Sequence, residues 1–416
     1  MNWVTAPVLV GLGVSVMTMA ASTFTTLGLG ALAPSLRAAL HLSTFEVGLI
    51  PGLVFVGALT ATVPAGHTAD RIGAGRMLTS AQLGVACGVA IVALSSSRGA
   101  FLAGVAIAGL GYGAINPATN ILSTTLVPRR RRALFLSVKQ TGVTLGGLTA
   151  GLALPPIAQA VSWRLAVVLG VVVLLCGALV GRWITSRERA GWFKPARSPA
   201  TSANASSDAT RVSLPGGFPT ALFGFVMSGV QLSLAGYLTV YLVDTHGFSR
   251  TTAGLALSVA FGAACVGRIA WGWLSDRCFD SHATTLVIVA TTSVLALLAM
   301  TFGVQGPSLW LIVVMIGLCS IGWNGVYMAL ITDGASHDGL GRATGRGLVA
   351  IYGGVAVLPP LLGAVKDLAH SWAAVWAVCT AAVVVAAAML AISPRRLVLV
   401  GSGETAAIEP RATGAL

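Results

Sequence analysis

Gly48-Leu49 is followed by Gly66-His67-Thr68-Ala69-Asp70-Arg71, and Gly254-Leu255 by Gly272-Trp273-Leu274-Ser275-Asp276-Arg277. In both copies 18 residues separate the first Gly from the Gly of G-x-x-x-D-R, and the copies stand 206 residues apart throughout. Each copy closes a long apolar segment. Self-similarity at a fixed offset means that one structural unit occurs twice. In a membrane chain, repeated halves point to a secondary transporter whose site lies between them.

The membrane assignment follows from composition. Hydrophobic residues make up 56% of the chain and charged residues 9%, against about 25% charged in soluble domains. Twelve stretches are apolar and long enough to cross a ~30 Å hydrocarbon core. They are roughly 8–33, 44–66, 77–97, 99–125, 133–158, 164–184, 218–243, 251–274, 283–304, 308–332, 344–366 and 371–394. Lipid offers no partner to an unpaired backbone group, so these are expected to be helices. The alternation of a membrane β-barrel is absent. Residues 1–7 contain no Lys or Arg, so the first segment is expected to be retained rather than cleaved as a signal peptide. The expectation is an all-α membrane protein built as two six-helix repeats.

A net charge of +13 would suit nucleic acid, but its distribution suits topology. With the amino terminus inside, only Arg37, Arg98, Arg164, Arg250 and Lys366 fall outside, the positive-inside pattern. Both termini are therefore expected in the cytoplasm, and no nucleic acid partner is expected. Contact of Arg129-Arg130-Arg131-Arg132 with anionic lipid is the remaining reading of the basic charge. The six cysteines lack metal or redox spacing and read as small core residues. No metal or cofactor is expected.

The expected organisation is an N-terminal bundle over 1–184, a polar cytoplasmic linker over 185–217, a C-terminal bundle over 218–396 and a cytoplasmic tail over 397–416. Gly66-x-x-x-Asp70-Arg71-x-Gly73-x-x-Arg76 then resembles the loop motif of the major facilitator superfamily, and Asp276-Arg277 its weaker second copy. The resemblance implies twelve helices, alternating access, and a cytoplasmic gate made by Asp70, Arg71, Arg76, Asp276 and Arg277. The alternative is that these are ordinary loop charges. Gly142, Gly146, Gly147, Gly151 and Pro155-Pro156 are similar to the superfamily's fifth-helix motif, which forms an interface between halves. The fourth-helix Arg common in proton-driven drug antiporters is missing from Leu110–Asn116.

None of the twelve acidic residues falls near the middle of a predicted helix. Three basic residues do lie inside apolar segments: Lys139, Arg268 and Arg346. Each costs about 2.5–3.5 kcal/mol on insertion scales. An anionic ligand in a water-filled cavity would offset that cost, and guanidinium groups grip carboxylates through paired hydrogen bonds. The alternative is that all three snorkel to the inner surface. Lys139 precedes Gly146-Gly147 by the spacing at which Arg346 precedes Gly353-Gly354, so the fifth and eleventh helices are repeat partners. Arg268 has no such partner, since position 62 is Thr62. Arg268-Ile269-Ala270-Trp271-Gly272 with Asp276-Arg277 resembles the eighth helix of oxalate–formate antiporters and monocarboxylate transporters, which implies a role for Arg268 on a substrate carboxylate.

Mid-helix polar residues complete the candidate binding set: Asn116, Asn120, Gln140, Tyr237, Tyr241, Asn324 and Tyr327, with Thr25, Thr26, Thr141, Gln231 and Trp323 near them. Each has the alternative of a helix–helix hydrogen bond. Asn116 before Pro117 is expected to mark a bend. The expected function is a monomeric secondary transporter for a small organic anion, energised by anion exchange or by a proton carried with the substrate. An exporter of a hydrophobic drug or natural product is the alternative. An enzyme is not expected: the six histidines lie in loops or at helix ends, and no G-x-x-x-x-G-K-[ST] occurs.

Overall fold

The computed structural model describes residues 5–126, 132–192, 217–279, 281–333 and 340–392, apart from the side chains at 70, 123–125, 132–134, 136–137, 332–333 and 340–344. The tail 397–416, linker residues 193–216 and Arg129 to Arg131 lie outside them. Among the described residues, twelve helices are long and apolar enough to cross a membrane. They are α1 (Ala6–Ala31), α2 (Thr44–Ala69), α3 (Ala74–Leu94), α4 (Arg98–Leu122), α5 (Val138–Ala160) and α6 (Trp163–Arg189) in the first half. The second half holds α7 (Gly217–His246), α8 (Arg250–Cys278), α9 (His282–Thr301), α10 (Pro307–Ile331), α11 (Gly345–Ala369) and α12 (Trp372–Ile392). The described residues contain no strand.

Serines set several helix starts, because an unpaired N–H at a helix end needs an acceptor. Ser43 caps the helix of α2 in a capping box with Glu46, and Ser249 caps α8 by accepting from Thr252 N at 3.0 Å. The 206-residue offset carries one onto the other. Ser97 and Ser162 cap α4 and α6 in the same way. The α6 helix runs past residue 184 to Arg189. Glu188 there accepts from Gly75 N at 3.2 Å, so the start of the linker region is helical and tied to α3.

Two helices break in mid-span, at equivalent places. The helix at Arg98–Gly113 stops and a second begins at Ile115. Pro117 has no N–H to offer the Gly113 carbonyl. That carbonyl lies 3.1 Å from Thr62 Oγ1 of α2 and shares its one hydrogen with Ala58 O, at 2.6 Å. In α10 a π-helix covers Ile316–Ile321, and Leu318 O accepts from Trp271 Nε1 of α8 at 2.9 Å. The repeat offset carries Ala114 onto Ser320.

The halves meet through α2 against α11 and α5 against α8. Gly151 of α5 lies against Gly254 and Ser258, and Gly254 against Pro155; a side chain on either glycine would strike backbone. Gly142 and Gly146 instead seat α1, so the expected interface motif divides between two faces of its helix. Cys319 and Cys379 are buried, whereas Cys87, Cys176 and Cys278 are exposed, which corrects their reading as core residues.

Candidate functional site

We call the face where G-x-x-x-D-R lies the motif face. At the opposite face the halves are fastened together. Arg37 and Asp244 form an ion pair at 2.6 Å. Asp367, near the end of α11, accepts from Thr44 N at 3.0 Å and Phe45 N at 2.8 Å. Tyr237 donates toward Pro359 O (2.5 Å) and Thr44 O (3.2 Å). Thr239 donates to Gly30 O at 2.8 Å. The space left between α1, α2 and α7 is about 10 Å³, room for roughly one water.

The motif face is different. Arg71, Arg76, Asp276 and Arg277 are all exposed, and the Asp70 side chain lies outside the described residues. The two ion pairs among the described residues are Arg37–Asp244 and Arg98–Glu46, both on the opposite face. A Cβ added at Gly66 or Gly272 would meet nothing within 4 Å. Among the described residues, the ion pair and backbone-directed bonds between the halves therefore lie toward one face, and the motif charges are exposed at the other.

Between these ends lie the candidate cations. Arg268 sits in α8, one turn beyond Cys265, whose Sγ is 2.8 Å from Thr144 Oγ1 of α5. Its Nε is buried and has no hydrogen-bond partner. Tyr112 of α4 is in electrostatic range. Tyr112, Phe55 and Tyr352 form an aromatic cluster across α4, α2 and α11, with ring centroids 5.9 Å apart for Phe55–Tyr112 and 5.3 Å for Phe55–Tyr352. Among the described residues every acidic side chain lies within a few residues of a helix end.

Lys139 is 2% exposed. Its Nζ donates to Asn120 Oδ1 (2.8 Å), Thr119 Oγ1 (3.1 Å) and Asn116 Oδ1 (3.3 Å). An ammonium has three donors, and all three are used within the first half. Arg346 is half-buried.

The remaining candidates divide. Gln231 Oε1 accepts from Asn324 Nδ2 (2.8 Å) and Trp323 Nε1 (3.0 Å), joining α7 to α10. Tyr237, Tyr241 and Tyr327 are essentially unexposed, and their hydroxyls go to backbone carbonyls, those of Tyr241 and Tyr327 to Met300 O (3.2 Å) and Thr220 O (3.1 Å). These three tyrosines fasten helices together. Gln140 is exposed. Sequence reasoning passed over Thr119, Tyr112 and Tyr352 as site residues. For Thr119 the signal was present: Asn116, Thr119 and Asn120 fall at i, i+3 and i+4, one helical face. An apolar groove of about 590 Å³ between α5 and α6, near Pro156 and Val172, contains none of the candidates.

A chain of twelve spans in two equivalent halves, closed at one face and polar between the halves, has the architecture of an alternating-access membrane transporter. The Major Facilitator Superfamily family model matches residues 11–346 and 224–408. The chain is 23% identical to the gentisate transporter of Corynebacterium glutamicum over 347 residues, 78% of this chain and 73% of that protein. It is 33% identical to the probable nitrate/nitrite transporter NarK2 of Mycobacterium tuberculosis over 152 residues, 35% and 36% of the two. A bacterial homologue of the human lysosomal transporter Spinster, in an inward-facing and occupied conformation, superposes with a TM-score of 0.76 at 17% identity, covering 93% of this chain and 96% of that one. The chain belongs to the Major Facilitator Superfamily; it is a multi-pass membrane transporter and not an enzyme.

Proposed function

We propose that this transporter carries a small organic anion, a carboxylate, and that Arg268 is the group that grips it. The observation that carries this reading is a guanidinium in mid-span whose buried Nε has no partner, in helices whose described acids all stand at the ends. Such a charge is costly in a bilayer unless a ligand compensates it. The gentisate and nitrate/nitrite relatives add support, since both names denote anions. Arg346, half-buried near the start of α11, is a second contact in this reading. The motif face is cytoplasmic by its excess of Lys and Arg, and its exposed Arg71, Arg76, Asp276 and Arg277 come together with Asp70 when that face closes. With no mid-span carboxylate described, a coupled proton would ride on the substrate; a transport rate indifferent to pH gradient and counter-anion would remove both energy sources.

Thermal unfolding of the purified protein against acetate, benzoate, 2,5-dihydroxybenzoate and nitrate tests the proposal. An anion at 100 times its Kd stabilises by about 2.7 kcal/mol. Wild type should gain this and Arg268→Gln should not. If no anion stabilises wild type, or the variant gains as much, the reading fails and export of a neutral hydrophobic compound takes its place.

A further inference from the structure

Three amides in the central region share one property: each is held by its oxygen. As an ammonium Lys139 can only donate, so in that form the oxygens of Asn116 and Asn120 face it, however amide nitrogen and oxygen are distinguished. Both Nδ2 groups are thereby turned away from Lys139. Asn116 and Asn120 are one turn apart on α4 and share a face. Asn116 stands within hydrogen-bonding reach of Tyr352 on α11, so that face looks across to the other half. Asn120 is exposed.

The second half repeats the device by other means. An indole N–H can only donate, so Trp323 fixes the oxygen of Gln231, and Asn324 donates to the same atom. Gln231 Nε2 is thereby turned away from Trp323 and Asn324. With the unpartnered Nε of Arg268, these amides, fixed by their oxygens, leave N–H donors free in the central part of the bundle.

We propose that Lys139 is a positioning residue and not an anion ligand. It locks Asn116 and Asn120 with their donors outward, and together with the locked Gln231 this makes a donor lining that selects carboxylates bearing a second oxygen away from the carboxylate. The inference rests on the reading of Arg268 as the carboxylate ligand. A site built to hydrogen-bond an oxygen rejects the analogue that lacks it, because its own buried donors are then left unpaired.

Dissociation constants of the full-length protein for two matched pairs test this: propionate against pyruvate, and benzoate against 2,5-dihydroxybenzoate. Wild type should favour the oxygen-bearing member of each pair by about tenfold or more. Lys139→Met frees both Asn amides to turn, and the ratio should fall to within about twofold. Lys139→Arg, still donor-only, should keep the preference. Loss of the ratio with return in the Arg variant is a pattern that general loosening of the bundle would not produce. If Lys139→Met does not fold, Asn120→Asp replaces donors by acceptors while pairing with Lys139, and should abolish the preference likewise. Binding without preference in wild type, or a preference that survives Lys139→Met or Asn120→Asp, overturns the inference alone. Binding of none of the four, or binding that Arg268→Gln leaves intact, overturns the anion reading beneath it.

Discussion

Lys139 and Arg268 are both cations inside apolar helices, and their surroundings differ completely. Lys139 has three oxygens on its three donors; the Arg268 Nε has none. Opposite effects on stability follow. Arg268→Leu removes a charge that the ligand-free protein leaves uncompensated, so it should raise ligand-free stability by up to ~3 kcal/mol. Lys139→Met strands three polar partners and should lower it by about 1–3 kcal/mol. Thermal or denaturant unfolding in detergent measures both, and equal signs would contradict the contrast. Arg268 was legible in the sequence because a cation in an apolar run is rare. The fate of Lys139 was not: its spacing to a Gly pair matched that of Arg346, and what neutralises it sits on another helix some twenty residues earlier. The tyrosines were ambiguous for a similar reason. Tyr237 reads equally as cavity lining or fastener until Pro359 O and Thr44 O are seen to lie beside its hydroxyl.

At the scale of the helix, proline made one break legible and left the other hidden. Pro117 announced a bend, and the helix does divide there, at Ala114. The π-helix at Ile316–Ile321 contains no proline. Only the repeat offset, applied to Ala114, would have located it. At the break in α4 the Thr62 hydroxyl, whose shorter bond is to Ala58 O, also reaches from outside to the Gly113 carbonyl. Thr62→Val should therefore cost about 1 kcal/mol, the usual net worth of a hydrogen bond. In a Pro117→Ala background, where residue 117 can offer its own N–H to that carbonyl, the same change should cost less. A double-mutant cycle of unfolding free energies should give a coupling of at least ~0.5 kcal/mol, and simple additivity would mean that the two groups do not share the carbonyl.

Across the whole molecule, the described fastenings between the halves gather at one face, apart from Ser258 on Leu148 O and Cys265 on Thr144 further along α8 and α5. Tyr237→Phe removes a hydroxyl whose one hydrogen is shared between Pro359 O, within the second half, and more weakly Thr44 O, across to the first. At about 0.5 kcal/mol for that weaker share between halves, the population open at this face should rise about twofold. A cysteine placed at Thr26, beneath the seal, should then react faster with a membrane-impermeant maleimide applied to that side; an unchanged rate would show that the tyrosine does not hold the face shut. The twelve spans and the two halves were readable from apolar runs and the 206-residue offset, because each is a property of long segments; of the interface helices only the fifth was expected, from its resemblance to a family motif. Which face is closed was not readable, because it depends on single hydrogen bonds between residues hundreds of positions apart, such as Asp367 with Thr44.

The first turn of α2 is held twice. Its own Ser43–Glu46 box satisfies Ser43 N and Glu46 N, while Asp367 from the other half satisfies Thr44 N and Phe45 N. When the halves part at this face, Asp367 withdraws and the box stays behind. The two N–H groups it releases lie at the helix start, where water can replace the carboxylate at once, so no donor is stranded in lipid and the helix does not fray. For these two N–H groups, unlatching is thus an exchange of one solvating group for another. A transporter that must cycle without fuel of its own needs exchanges of this kind, so that the binding of a single small ligand can decide which way the equilibrium leans.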